Sequence, residues 1–459
     1  MKSDIDRFMA DRSRFVLEAL QAANHHLSDR DRRAKYTKMA QSAFRFYRGS
    51  NHLFWADLGR DPRRQQFGSD RTTIWIQGDL HTDNYGTYEN DDGVLVYDLN
   101  DFDESVVADY QFDLWRMAIS IVLMVRQYGI PDDNGSNTKT DQAIKPLIDE
   151  FTESYLDHLG AYRGNAQEKK VVFDTQRLEG PLDRFLDRVE KQYGRQQLLE
   201  KWTIAPSEAN DASPYGRFNL VKRADKLVAV TEEERQAIAH QFPHYGTTLT
   251  GKVDYNPEQF HLCDLARRIN AGTGSLGVQR YYALIAGDGP QQERILDIKH
   301  QPTPTPYVYM AEGDRQIYDQ LFGDNHALRH SVAYRALTNH TDDYLGWMHL
   351  TLPDHPPGYF SVRELMPHME AFDLDTLKKP KDALTMAATW GHILAAAHAR
   401  ADKNFDVAYV THSIDQEVDK ITAGQHQEFR ALVRAIAFEY ADQVQQDWDG
   451  FLAAQLHLG

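Results

Sequence analysis

The sequence predicts an α+β fold, and three features carry that expectation. Two short apolar runs, Thr73–Ile76 and Val94–Tyr97, are each followed by a burst of acidic, amide and imidazole side chains. That is how a strand delivers polar groups to an exposed edge. A glycine cluster, Gly272-Thr-Gly-Ser-Leu-Gly277, runs into a β-like segment and not into a helix. Helical spacing occupies both ends of the chain, up to about residue 60 and from Leu384 onward.

Taken in order, residues 1 to about 60 read as polar helices, with Phe44, Phe46 and Tyr47 clustered beside Arg48-Gly49. The turn formers Glu89-Asn-Asp-Asp-Gly93 lie between the two apolar runs and read as a hairpin-type connection. Phe112–Gln127 is apolar enough for a buried helix that stops near Gly129 and Pro131. Residues 132–141 read as a polar loop, Ile144–Leu159 as a helix and Leu182–Trp202 as a solvated helix. Arg217–Val230 reads as a short hairpin before the acidic helix Glu232–Gln241. Tyr281–Ile285, Arg294–Lys299 and Tyr359–Leu365 are strand-like, and His326–Leu337 is helical.

Composition narrows the function. Of the 459 residues, 41% are hydrophobic and 26% charged, as in ordinary folded proteins. The net charge of −17 argues against a nucleic-acid-binding surface, which needs clustered Lys and Arg. Cys263 is the single cysteine, so no intramolecular disulfide can form, and a reducing cytoplasm is the expectation. The longest apolar run, Met117–Val125, is too short to span a bilayer, so no membrane partner is expected.

The chemistry concentrates in two places. Ile76-Gln-Gly-Asp-Leu-His-Thr-Asp-Asn84 and Tyr97-Asp-Leu-Asn-Asp-Phe-Asp-Glu104 bring Asp79, Asn84 and Asp98 to the ends of β-rich runs. Phosphoryl transfer needs such a set: a carboxylate to orient the attacking hydroxyl, then an amide and a carboxylate to hold Mg²⁺. Asp98 is the first choice for the metal because it directly follows the apolar strand, with Asp101 as reserve. Turn formation alone would explain one acidic burst, not two after strands. His81 reads as support for the loop, and Asp113 as an N-cap that also accepts the backbone N–H groups of that loop. The second place is Gly272, Gly274, Ser275 and Gly277, a turn that would cover phosphates, followed by Lys299 at the end of a strand.

Gln77-Gly-Asp-Leu-His-Thr-Asp-Asn84 resembles the catalytic loop of aminoglycoside-phosphotransferase-like kinases. Together with Ser42-Ala-Phe-Arg-Phe-Tyr-Arg-Gly49, Tyr97–Glu104 and Gly272–Gly277, it resembles the bacterial "domain of unknown function 2252" family over roughly residues 38–405. The resemblance implies a two-lobed protein-kinase-like fold with extra helices, circularly permuted because the glycine turn and lysine follow the catalytic loop. It implies four parts: 1–160 with the catalytic and metal-binding loops, a connecting region 161–250, a nucleotide-binding lobe 251–370, and C-terminal helices 371–459 that return to the first lobe. Trp390–Ala399 resembles the helix that normally precedes a kinase catalytic loop. Val362-Arg-Glu-Leu-Met366 stands where the hinge would bind adenine, so Glu364 joins the cofactor-binding set. Carried over by position, Asp79 is the base, Asn84 and Asp98 hold Mg²⁺, and Lys299 binds the phosphates of ATP. Two departures stand out. Asp98 is followed by Leu-Asn and not Phe-Gly, and helix 326–337 offers Lys299 no glutamate, Glu312 and Asp314 being the nearest acids.

The leading expectation is an ATP- and Mg²⁺-dependent phosphotransferase acting on a hydroxyl of an unidentified, small-molecule-like acceptor. A metallophosphoesterase using Asp79 and His81 is the second reading. A nucleotide-binding pseudokinase or a nucleotidyltransferase is the third.

Overall fold

The computed structural model of the protein describes residues 2–455 apart from 133, 135, 193, 207–212, 271, 273–275, 340, 354 and 378. The chain opens with helices α1 (Lys2–Ala23), α2 (Asp29–Met39), α3 (Ala43–Gly49) and α4 (Asn51–Leu58). Ser28 and Ser42 cap α2 and α3 by accepting the N–H groups of Asp31 and Arg45. β1 (Thr73–Ile76) pairs antiparallel with β4 (Val106–Asp109). Between them, β2 (Tyr85–Glu89) and β3 (Leu95–Leu99) form the hairpin. The turn at residues 89–93 therefore joins β3 to a strand that the apolar pattern missed, and the run at 73–76 pairs elsewhere.

Helix α5 (Gln111–Tyr128) is buried over most of its length and ends at Gly129. The short strands β5 (Ile130–Pro131) and β6 (Asn137–Thr138) lead into α6 (Asp141–Tyr162). The solvated helix expected at 182–202 is two helices, α7 (Pro181–Gln192) and α8 (Arg195–Trp202). One face of α7, bearing Leu182, Phe185, Leu186 and Val189, is buried. The hairpin expected at 217–230 does not form. β8 (Arg217–Phe218) pairs with β7 (Thr203–Ile204), while β9 (Leu227–Ala229) joins a larger sheet.

That sheet has six antiparallel strands. β9 is followed by helices α9 (Glu232–Ala239) and α10 (Phe242–Gly246), then β10 (Leu262–Arg268), β11 (Arg280–Ile285) and β12 (Arg294–His300). Helices α11 (Glu312–Phe322) and α12 (His326–Leu337) come before β13 (Gly346–Leu350) and β14 (Gly358–Glu364). The strand order is β13-β14-β12-β11-β10-β9. The chain then returns through α13 (Pro380–Arg400), α14 (Ile414–Thr422) and α15 (His426–Gln455).

Alternation along these strands sorts the side chains onto two faces. Tyr281, Ala283, Leu296, Ile298, Phe360 and Val362 pack against Ile238, Phe242 and Tyr245 of α9 and α10. On the opposite face, Tyr282, Leu284 and Ile295 pack against Trp202 and Phe218. The register Arg280↔Lys299↔Ser361 and Tyr282↔Asp297↔Arg363 puts Arg280, Asp297, Lys299 and Arg363 on that second face. A separate, larger core holds α3 to α7, β1, β3, α12 and α13 to α15. Helix α12 thus joins the core that holds β1 and α5 while its Ser331 hydroxyl bonds Gly346 O of β13. Among the described residues, no helix is long and apolar enough to cross a membrane.

Candidate functional site

The loop after β1 is built around glycine and a carboxylate of α5; the N-cap of α5 is Tyr110 and not Asp113, which lies in the first turn with its carboxylate turned to the loop. Gly78 has φ +81°, and a Cβ there would stand 2.2 Å from Glu104 O, so only glycine fits. Asp113, in the first turn of α5, accepts the N–H groups of Gln77 (2.7 Å) and Gly78 (2.9 Å). Its Oδ2 also meets His398 Nε2 of α13 at 3.3 Å, and Tyr155 OH meets His398 Nδ1 at 2.9 Å. These bonds hold the loop from beneath, as expected of Asp113.

Asp79 is fixed by a residue that sequence reasoning passed over. The Arg116 Nε donates to Asp79 Oδ1 at 2.6 Å, and a second guanidinium nitrogen also pairs with that oxygen. Arg116 is 1% exposed and Asp79 19%. Burial pushes the Asp79 carboxyl upward, and the charge of Arg116 opposes it. A signal was present: Arg116 is the one charge within the apolar run Leu114–Val125. Asn84 Nδ2 donates to Asp79 O at 3.1 Å, which leaves Oδ1 as the atom with which Asn84 would hold a metal.

His81 is buried against Phe44, and Arg48 Nε donates to its Nε2 at 3.3 Å. Burial, with the Arg48 and Arg116 charges, holds this imidazole well below its ordinary pKa, so it is neutral. A guanidinium at Nε2 repels a cation there. Among the described residues, the tight triad of possible metal ligands is Glu153, Asp157 and His426, on α6 and α15.

The two metal candidates in the second burst diverge. Asp98 lies inside β3, is buried, accepts Leu99 N–H at 2.8 Å and sits 3.7 Å from Arg400. Burial lifts its carboxyl to about 6 against the Arg400 charge. Asp101 lies two residues beyond the end of β3 and opens to solvent. The enclosing walls, with Asp103 and Asp79 nearby, push its carboxyl upward while Lys299 opposes them. The two candidates therefore differ in surroundings: the strand turns Asp98 to Arg400, whereas Asp101 follows β3 with the charges of Asp103, Lys299 and Asp79 acting on its carboxyl. Phe102 anchors the segment in the core against Tyr334, with ring centroids 4.6 Å apart.

Lys299 finds a partner on the loop after β3, and it is not on α12. Its ammonium pairs with Asp103, whose second oxygen accepts Gln301 Nε2 at 2.9 Å. Burial opposes the charge of Asp103, and Lys299 with His330 overcomes that and holds the carboxyl well below its usual range. His330 occupies α12 where a glutamate was sought, 3.7 Å from Asp103. Arg329, its neighbour, donates to Phe102 O (2.9 Å) and Ser105 O (3.2 Å) and pins the acidic loop. Glu104 accepts Thr305 N–H at 2.6 Å, and burial together with Asp79 raises its carboxyl to about 7.

The base-binding side is less like the expectation. Glu364 N–H donates to Asp342 Oδ2 at 2.6 Å, Leu365 N–H to Ile295 O at 2.7 Å, and the Glu364 carboxylate pairs with Arg195 and Arg294. Neither the Glu364 N–H nor its side chain is free for adenine. Asp297, two residues before Lys299, pairs with Arg280 and lies 3.8 Å from Arg363. Of the glycine turn, Gly272 is exposed and Gly277 has φ +77° with Leu27 against it. Gly274 and Ser275 lie outside the described residues.

A family model described as "Uncharacterized protein conserved in bacteria (DUF2252)" matches residues 29–454. The chain belongs to this family. The DUF2252 match starts at the first residue of α2 and includes Asp79, Asp101, Asp103, Arg116 and Lys299. No curated protein and no solved structure matches the chain.

Proposed function

We propose that this DUF2252 protein is a Mg²⁺- and nucleoside-triphosphate-dependent phosphotransferase of circularly permuted, kinase-like build. The observation that carries the reading is the Asp103–Lys299 ion pair, which joins segments about two hundred residues apart, with Asp101 and Asp79 within electrostatic reach of it. The lysine stands on the third strand of a run β10–β11–β12 in which the glycine segment 272–277 connects the first two strands in sequence, as kinases place theirs. Permutation is supported by α13. Its His398 braces Asp113, and His412 just beyond it donates to Thr73 O at the start of β1 at 2.7 Å. The segment after α13 therefore runs beside the strand that enters the catalytic loop.

The roles follow from the geometry. Asp79, oriented by Arg116, accepts the proton of the acceptor hydroxyl as its oxygen bonds to the terminal phosphorus. The bond from that phosphorus to the bridging oxygen breaks, and its electron pair leaves with the diphosphate. Asn84 and Asp101 are the residues that would hold Mg²⁺, which neutralises phosphate charge when bound. Lys299, already poised by Asp103, exchanges that contact for phosphate oxygens. The Glu364 N–H, already bonded to Asp342, predicts weak discrimination between nucleobases.

Thermal unfolding with excess ATP and Mg²⁺, with metal alone as control, tests this reading. A ligand at a hundred times its dissociation constant stabilises by about 2.7 kcal/mol. A Mg²⁺-dependent rise in the midpoint is expected. No rise with ATP, but a large one with Mn²⁺ or Zn²⁺ alone, would favour a metallophosphoesterase instead.

A further inference from the structure

Helix α2 bridges the two sides of the cleft. At its start, Leu27 and Asp31 lie against Gly277, where an added Cβ would stand 2.4 Å from Leu27 Cδ2. A cavity of about 350 Å³ lies between Ser28, Arg30 and Asp31 on one side and Asn270 and Leu276–Arg280 on the other. At its end, Met39 packs on Gly49 of α3, and Trp448 Nε1 donates to Met39 O at 3.2 Å. Helix α3 in turn holds the catalytic loop: Arg48 pairs with Asp83 and bonds His81, and Tyr47 OH bonds Arg116 O at 3.1 Å. An eleven-residue helix spans about 16 Å, so α2 crosses from the glycine turn to the catalytic loop.

Lys35 lies in the middle of that crossing. Its Nζ donates to Asn24 Oδ1 at 2.7 Å, a neutral amide. The carboxylates acting on it are Glu104 and Asp79, and its charge also reaches His52 on α4. In the same region two buried donors have no hydrogen-bond partner: Arg116 Nη1, and His81 Nδ1, which carries the ring proton because Nε2 accepts from Arg48. A cation with spare donors, within electrostatic reach of Asp79 and accompanied by unsatisfied donors, is what an incoming phosphoryl group requires.

We infer that Lys35, carried by α2, binds the transferring phosphoryl group between Gly277 and Asp79. The inference rests on the phosphotransferase reading and adds to it. Lys299 serves the phosphates from the small-lobe side, and Lys35 reaches the terminal one from the N-terminal helix. The nucleotide's third phosphate, and not its base or second phosphate, is then what Lys35 recognises.

Calorimetric titration of the full chain with Mg·ADP and with a non-hydrolysable Mg·ATP analogue tests this. Wild type, Lys35→Met, Lys35→Gln and Lys35→Arg are compared, each first checked for an unchanged unfolding midpoint without nucleotide. Analogue affinity is expected to fall at least tenfold in Lys35→Met and Lys35→Gln, with ADP affinity changing less than twofold, and Lys35→Arg restoring most of the loss. An unchanged analogue-to-ADP ratio in whichever neutral variant folds would overturn the role of Lys35 and leave the phosphotransferase reading standing. A wild type that binds neither ligand would overturn both.

Discussion

At the residue scale, the deciding contrast is Asp98 against Asp101. The two acids are three residues apart, and their surroundings separate them. Asp98 is buried beside Arg400, whereas Asp101 is open to the cleft and shares it with Asp79 and Asp103. A pH prediction follows. The Asp101 carboxyl is raised above its ordinary value, so protons compete with Mg²⁺ for it, and affinity for the metal falls as the pH falls. Below that raised pKa the loss approaches about tenfold per pH unit. Titration with Mg²⁺ between pH 8 and 5 should show this slope in wild type and a flatter one in Asp101→Asn. An equally steep slope in that variant would remove Asp101 from the metal site. The sequence held a cue for this choice, since Asp101 is followed by Phe102, an apolar anchor, whereas Asp98 sits within the alternating strand. The partner of Lys299 had no such cue. Asp103 lies 196 residues earlier, and only the closing of the cleft brings the two together.

At the element scale, the catalytic loop depends on α5 and α13 as much as on its own residues. Asp113 takes two buried N–H groups from the loop and one contact from His398. Leaving those two donors without a partner costs about 1–3 kcal/mol each. Asp113→Ala should therefore lower the unfolding free energy by about 2–6 kcal/mol and weaken nucleotide binding, both measurable by denaturant titration and calorimetry. A stable variant with a normal site would show that the loop is held by other contacts. Element types were largely legible, because α5, α12 and the strands near Arg294 and Tyr359 carry clear periodicity. Pairing was not. The short segments at 217–218 and 227–229 carry turn signals between them, yet each finds its partner outside the expected hairpin. Register and partner choice come from which face a distant core buries, and local sequence does not record that.

At the scale of the whole molecule, the two cores come together at the cleft. The large core gathers both ends of the chain, from Val16 to Phe451, and the six-stranded sheet supplies Lys299 from the other side. A sequence that delivers its catalytic loop before its glycine turn can still assemble one site, provided α13 returns to brace that loop. The family membership was readable from motifs. The bridge made by α2, the Arg280–Asp297 ion pair and the occupied Glu364 N–H were not, since each depends on contacts between segments remote in sequence. The central claim is that Asp101, not Asp98, holds the metal of a Mg²⁺–nucleotide complex in this cleft. Calorimetric titration of wild type, Asp101→Asn and Asp98→Asn with Mg·ATP tests it most directly. The account predicts saturable, Mg²⁺-dependent binding in wild type, a loss of at least tenfold in Asp101→Asn and near-normal binding in Asp98→Asn. No binding in wild type, or binding lost in Asp98→Asn and kept in Asp101→Asn, would contradict it.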